Sequence, residues 1–306
     1  MADTQDRDRP APVALFVYRR PAHARQAVQS LLANAEAPRT QLVVFSDGPR
    51  KADTQGDVAQ VRAYARGITG FAGVRVVERE RNLGLAQSIL AGVGEMLAEH
   101  GRVIVVEDDL VVSPFFLAYM NEGLRRYAGH ERVASIHGYM YPSHVALPET
   151  FFLRGADCWG WATWDRAWRH LETDGRKLEA QLRGRGLARE FDLDGRYPFL
   201  RMLQAQIAGR NDSWAIRWHA STFLADMLTL YPGRSHVVNT GADGSGTHSR
   251  TRVSLGDEFA DRPTQWTDIP LEPHPAGREA MADYLAGLRR RLWVGRVRRL
   301  LRLQAA

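Results

Sequence analysis

Val103-Ile104-Val105-Val106-Glu107-Asp108-Asp109-Leu110-Val111-Val112 runs from apolar, mostly β-branched residues straight into three acids. Four consecutive apolar residues predict a strand buried on both faces, as in a parallel sheet. The acids follow where that strand should leave the sheet. Three adjacent carboxylates repel one another, and burying them is costly unless a cation or hydrogen-bond donors compensate. A hard divalent ion, Mn2+ or Mg2+, is the simplest compensation, because both prefer oxygen ligands. Such an ion can in turn hold a diphosphate. The competing reading is a solvated strand end or a helix-capping cluster, since Ser113-Pro114 is a helix-start signal.

Outward from this stretch, the first half of the chain alternates strand and helix. Strands are expected at Val13–Tyr18, Leu42–Ser46, Val74–Glu78, Val103–Val106 and Val133–His137. Helices are expected at Ala22–Asn34, Gly56–Arg66, Leu85–Glu99 and Phe115–Tyr127. This is the pattern of an α/β fold with a mostly parallel, helix-flanked sheet. Ligands of such sheets bind outside the carboxyl ends of the strands. The second half is less regular and rich in Trp and Gly. Helical stretches are expected at Trp161–Leu171, Pro198–Ala208 and Ser213–Met227, and a short strand near Ser235–Val238. A Gly/Ser segment, Gly241–Ser249, and an irregular linker with four prolines, Pro263–Pro275, follow.

Composition narrows the function classes. A chain of 306 residues can bury a sizeable core, and 44% hydrophobic with 25% charged residues is ordinary for a globular protein. No apolar run approaches the roughly 20 residues of a membrane span, and the polar first twelve residues do not read as a signal peptide. A single cysteine, Cys158, excludes an internal disulfide and suits a reducing compartment, so a cytoplasmic location is expected. The net charge is +6, but seven arginines between 289 and 302, with no acid among them, account for it. The remainder is close to neutral, which argues against a nucleic-acid binder.

Four strand exits carry polar residues suited to a nucleotide. Arg19-Arg20-Pro21 follows the first and Ser46-Asp47-Gly48-Pro49 the second. Arg79-Glu80-Arg81-Asn82-Leu83-Gly84 follows the third, and the acid triplet the fourth. Arginine can pair with a diphosphate or stack on a base. Asp47 can accept from a uracil N3–H or from ribose hydroxyls, although Asp-Gly-Pro is also an ordinary turn. There is no P-loop and no G-x-G-x-x-G after the first strand, so phosphates must be held by side chains and a metal.

These residues carry a resemblance. The strand ending in Glu107-Asp108-Asp109-Leu110 resembles the metal-binding DxD element of GT-A glycosyltransferases. It is most similar to that of the N-acetylglucosaminyltransferase I group and of the related bacterial family-2-like sugar transferases. Phe16–Pro21, Ser46–Gly48, Asn82–Leu85, Val106–Pro114, Cys158–Trp164 and Asp243–His248 also look like that bacterial group, so the resemblance spans roughly residues 13 to 250. It implies a GT-A-type fold and a UDP-sugar donor, with UDP-GlcNAc favoured. Asp109 would then bind the metal directly. Glu107 and Asp108 would hold donor sugar and ribose hydroxyls, with Asn82 and Gly84 in the same nucleotide-sugar site. Asp47 would meet the uracil, and Arg20 the base or phosphates.

Inverting transfer also needs a base for the acceptor hydroxyl. Asp212, in Asn211-Asp212-Ser213-Trp214, resembles the Asp-Asp-Trp segment that carries it in the N-acetylglucosaminyltransferase I group, with Ser213 replacing the second Asp. The alternative is that Asp212 caps the helix that follows; Asp157 is the rival carboxylate. Trp161, Trp164 and Trp168 are spaced for one helix face and read as core. Trp159 lies off that pattern and is the better candidate for stacking on a sugar. His248 ends the Gly/Ser segment, where a loop can close over a nucleotide.

Residues 1–12 are thus expected to be a flexible N-terminus and 13–262 one GT-A domain, with a nucleotide-binding half (13–137) and an acceptor or catalytic half (138–262). Residues 263–306 form a linker and a basic amphipathic helix. Its Arg and Trp suit an anionic membrane surface, on the inner face of the plasma membrane, while docking on the body is the alternative. The acceptor would be a glycan or lipid-linked glycan in surface polysaccharide synthesis. Two rival readings are a sugar-phosphate nucleotidyltransferase, disfavoured because Lys51 and Lys177 are the only lysines, and a non-catalytic glycan-binding protein.

Overall fold

The structure is a computed structural model that describes residues 9–50, 54–241 and 259–303, with side chains as far as residue 291. Ten strands are described: β1 Val13–Val17, β2 Gln41–Ser46, β3 Gly73–Glu78, β4 Arg102–Glu107, β5 Leu110–Val112, β6 Val133–His137, β7 Thr150–Arg154, β8 Trp161–Trp164, β9 Leu228–Pro232 and β10 Val237–Asn239. The helices are α1 Pro21–Leu32, α2 Gln55–Arg66, α3 Leu85–His100, α4 Phe116–Arg126, α5 Asp165–Trp168, α6 Gly175–Gly184, α7 Ala188–Phe191, α8 Phe199–Ile207, α9 Trp214–Leu224 and α10 Pro275–Leu303. Eight strands form one sheet in the order β3-β2-β1-β4-β8-β6-β9-β7, and β5 and β10 form a separate pair.

The first four strands are parallel, and their apolar residues alternate between faces. Val13, Leu15, Val17, Ile104 and Val106 point to the face covered by α1 and α4. Ala14, Phe16, Val43, Phe45, Val103 and Val105 point to the face covered by α3 and α9. Such strands need continuous apolar runs because neither face meets water.

One expected helix is a strand at its start. Trp161–Trp164 forms β8, antiparallel to β4 and β6 between which it lies, and the helix that follows is only Asp165–Trp168. The helical spacing of Trp161, Trp164 and Trp168 misleads, because the strand's period of two sends Trp161 and Trp164 to opposite faces. Trp161 is fully buried, its ring 5.7 Å from Trp168 and 5.4 Å from Trp214. A gap between two parallel strands recruited an aromatic segment whose local pattern fits either period.

Other differences are smaller. The helix expected from Phe115 begins at Phe116; the Ser113 carbonyl accepts the Phe116 N–H, while the Ser113 hydroxyl bonds His236 Nδ1 at 2.8 Å. The cap of α9 is Ser213, whose hydroxyl accepts the Ile216 N–H, not Asp212. The strand expected near Ser235–Val238 is Val237–Asn239.

The linker and tail are docked over part of their length. Trp266 stacks on Tyr119 at 5.5 Å, and Pro273 forms a bridge with Phe152. The helix expected from Leu285 already starts at Pro275, and Ala280, Met281, Ala282 and Leu285 are buried with Phe151, Leu153 and Tyr231. Gly277 permits this approach, since a Cβ there would lie 2.3 Å from the Phe151 ring. Among the described residues no helix is long and apolar enough to cross a membrane.

Trp161→Ala is expected to lower unfolding stability by about 3–5 kcal/mol, because the cavity opens between the rings of Trp168, Trp214 and Trp218. Urea unfolding measures it, and a loss under 1 kcal/mol would contradict the described packing.

Candidate functional site

The carboxyl edge of the parallel strands gathers the charged residues. Arg20 lies between β1 and α1, and Glu107 ends β4. The two strands are neighbours in the register Phe16↔Glu107, and the Asp108 N–H donates to the Phe16 carbonyl. This pairing brings the Arg20 guanidinium onto the acids. Its Nη2 is ion-paired with Asp108 and lies 3.1 Å from Asp109 Oδ2. Its Nη1 is buried with no hydrogen-bond partner. Burial works against the Arg20 cation, but Asp108 and Asp109 outweigh it and raise its pKa.

One guanidinium does not balance three carboxylates. Burial first, then the charges of Asp109 and Asp108, push Glu107 up to about 8, with Arg20 opposing. Burial likewise raises buried Asp108, again against Arg20. The cluster is therefore short of positive charge, and this donor set fits a hard divalent ion. Among the described residues, however, no three His, Cys, Asp or Glu side chains group as a metal site. An ion here would need most of its ligands from elsewhere, as Mg2+-type ions do when they share phosphate oxygens.

Asp109 has its own setting. Its backbone carbonyl accepts both the Thr240 N–H, at 2.8 Å, and the Thr240 hydroxyl, at 3.0 Å. Gly241 lies so close that a Cβ would stand 2.4 Å from Asp109 Oδ2. The β5–β10 pair thus carries the chain past the last acid. His248 lies outside the described residues.

Asp47 differs most from expectation. Its Oδ1 accepts the Gly48 and Leu83 N–H groups, and its Oδ2 accepts Asn82 Nδ2 at 2.9 Å and the Gly84 N–H at 3.0 Å. All four lone-pair positions of the buried carboxylate are used. It cannot also accept from a uracil unless one of these bonds opens. Asn82 is similarly committed, donating to Asp47 and to the Gly48 carbonyl at 2.8 Å. Gly84 has φ +76, in the left-handed region, and leads into α3. Gly48 is required by close approach, since a Cβ would sit 2.4 Å from the Arg81 carbonyl carbon. Asp47 is the pin of the 82–84 loop.

The second half supplies the neighbouring wall. Asp157 lies by the end of β6, its Oδ2 accepting the Tyr141 hydroxyl at 2.5 Å and its Oδ1 the Cys158 N–H at 2.8 Å. Burial, then Asp157, Glu107 and Asp109, push the Cys158 thiol well up, so this segment borders the acid triplet. Trp159 is half-buried, its ring 4.9 Å from Tyr139. Asp212 is exposed, before α9. That helix leads down to β9, whose first residue pairs with Val133 at the start of β6, so its own start faces the carboxyl edge. The structure does not bring Asp212 into contact with the triplet; its charge instead bears on buried Arg217.

Sequence reasoning missed His23, whose charge opposes the rise of Asp108, and the pair Thr240 and Gly241. It also missed His137, Tyr139 and Tyr141, which no spacing links to the acids. A cavity of about 380 Å3, lined by Arg9, Arg102, Phe115 and Trp266 among others, lies by the opposite, amino edge, where Arg102 opens β4, and is not this site.

Residues 13–136 match the family "Glycosyl transferase family 2". No curated protein matches the chain. Among solved structures it is similar to a mannosyltransferase from Pyrobaculum calidifontis, in complex with GDP-Man and Mn2+, at 16% identity and TM-score 0.34, over 44% of this chain and 36% of that one. It is similar to TarS from S. aureus at 14% identity and TM-score 0.33, over 48% and 24%. It is also similar to glucosyl-3-phosphoglycerate synthase from Mycobacterium tuberculosis, in complex with Mn2+, UDP and glucosyl-3-phosphoglycerate, at 19% identity and TM-score 0.32, over 58% and 51%. The chain spans between 24% and 51% of the length of these three. The mostly parallel, helix-flanked sheet, with its first half matching this family, has the GT-A-type α/β fold.

Asp47→Ala leaves four N–H donors without their acceptor and is expected to cost about 2–4 kcal/mol of stability; urea unfolding checks it. Burial lowers His236, and also His137, to about 4. Their unfolded pKa is about 6.5. Between those values the unfolded chain binds protons that the fold does not, so stability rises with pH across that window. Each histidine contributes up to about 1.4 kcal/mol per pH unit. His236→Gln is expected to flatten the pH 4–6.5 stability profile by one such share, measured by denaturation at stepped pH.

Proposed function

We propose that the protein is an inverting, metal-dependent glycosyltransferase that moves a sugar from a UDP-sugar to a hydroxyl of a glycan or lipid-linked glycan. Residues 13–262 would be its catalytic domain. The carrying observation is the under-compensated acid cluster at the end of β4, bridged by Arg20, inside the span that matches the glycosyl transferase family 2.

Asp109 would hold the Mn2+ or Mg2+, sharing it with diphosphate oxygens. When bound, the ion supplies charge neutralisation for the leaving diphosphate. Arg20 Nη1, buried and unpartnered, is a donor suited to a phosphate or base oxygen. Glu107 and Asp108 offer carboxyl oxygens to ribose and sugar hydroxyls. Asp47 acts one step removed, by fixing Asn82–Gly84. The acceptor oxygen attacks the anomeric carbon, and the bond from that carbon to the diphosphate oxygen breaks. UDP leaves with the electron pair, and the acceptor proton passes to a carboxylate.

Asp212 is the proposed base. It is exposed and accepts no hydrogen bond from another described residue, whereas both oxygens of Asp157 are engaged. GlcNAc is the favoured sugar by the sequence resemblance alone. Surface glycan synthesis on the inner membrane face is the proposed setting, with the basic end of α10 as the attachment to anionic lipid. The α10 residues that pack on the body, Ala280, Met281, Ala282 and Leu285, precede the arginines at 296–302, so the two roles can fall on different parts of the sequence.

The test is thermal shift plus turnover. UDP with Mn2+ is expected to raise the melting temperature by mass action, and Asp109→Ala to abolish the rise. Asp212→Asn is expected to keep the rise and to lower donor turnover about 100-fold or more. Metal-independent binding that survives Asp109→Ala would refute the ion site, and unchanged turnover would remove Asp212 from the mechanism.

A further inference from the structure

Five side chains from three separate segments converge beside the acid cluster. Tyr139 and Tyr141 follow β6, Asp157 and Trp159 precede β8, and Tyr284 comes from α10. The Tyr139 ring lies 5.1 Å from Tyr141 and 4.9 Å from Trp159, and Tyr141 lies 5.3 Å from Tyr284. Tyr141, Trp159, Asp157 and Tyr284 are each only half-buried, so the group keeps accessible surface.

The same group holds unmet hydrogen-bonding capacity. The Tyr139 and Tyr284 hydroxyls are buried and face only each other, short of well-formed hydrogen-bond geometry, and both ring nitrogens of His137 are buried without a partner. Tyr139 is 2% exposed and His137 is 0% exposed. His137 Nε2 is 3.7 Å from Asp157 Oδ2, too far for a hydrogen bond. Buried polar groups are nearly always paired, so a cluster of exceptions marks a place where a ligand or ordered water completes the bonds. Aromatic faces with hydroxyls and a carboxylate match one chemistry: a sugar ring has apolar C–H faces and a hydroxyl rim.

We propose that Tyr139, Tyr141, Asp157, Trp159 and Tyr284 form the subsite for a saccharide acceptor, with the C-terminal helix supplying one wall. The inference rests on the glycosyltransferase reading for its acceptor role. Asp157 is a positioning residue here: it orients Tyr141 by accepting its hydroxyl. The docked half of α10 is then part of the site, whatever the end of the tail does. Rings, hydroxyls and a carboxylate suit a neutral sugar ring; the Arg291 guanidinium lies 5.8 Å from the Tyr284 ring centroid, at the border of the group.

Saturation-transfer NMR on the full chain with UDP and Mn2+ tests this. The probes are the methyl glycosides of glucose, galactose, mannose, N-acetylglucosamine and rhamnose. At least one is expected to receive saturation from aromatic protons, and Tyr284→Ala and Trp159→Ala each to weaken its binding roughly 2- to 10-fold, as lost ring contacts do. Tyr284→Phe keeps the ring and is expected to keep most of the binding, which separates a lost contact from an undocked helix. The UDP-induced melting rise is expected to be unchanged in Tyr284→Ala. No transfer to any glycoside, or transfer indifferent to both alanine variants, overturns the subsite. Glycoside binding without any UDP binding by the unmodified protein would keep the saccharide site and overturn the donor reading and, with it, the acceptor role.

Discussion

One imbalance of charge organises this protein: three carboxylates at the end of β4 face a single guanidinium. Arg20 reaches Asp108 and Asp109 only because β1 and β4 are adjacent and in register. A one-residue slip would turn Phe16 and Val105 out of their core and part the ion pairs as well. The apolar packing beneath therefore sets the electrostatics above. Arg20 pairs with two of the acids, while burial and those two charges leave Glu107 raised to about 8.

The same edge is stiffened by a second buried carboxylate with a different duty. Asp47 gathers two loops, Gly48 and 82–84, through four N–H donors. This turns an irregular strand exit into fixed geometry without regular secondary structure. Positioning of this kind matters for a nucleotide site, since fixed donors need no reorganisation when charge develops.

Much of this was legible in the sequence for stated reasons. The parallel half announces itself because strands buried on both faces need apolar runs, and the acid triplet interrupts one. Arg20, Asp47, Asn82 and Asp109 were all found as residue types at strand exits. Their partners were not, because Asp47 meets donors 35 to 37 residues away and Arg20 meets acids 88 and 89 away. The Trp161 segment was misread because its spacing suits a helix as well as a strand, and only the gap between β4 and β6 decides. The aromatic cluster around Asp157 was invisible for the same reason in stronger form: three segments without a shared period build it.

The two walls of the edge thus rest on different physics. The charged wall is set by backbone register in repeated strand–helix units, so its geometry follows from the sheet. The aromatic wall is set by side-chain packing among irregular segments and by a helix that closes against β7. Loops and peripheral elements can change what they bind while a sheet keeps its form. The charged edge lies within the span that matches the family, and the aromatic wall lies outside it. That division also explains why the resemblance is clearest over the parallel half, where the family match lies, and says least about the acceptor.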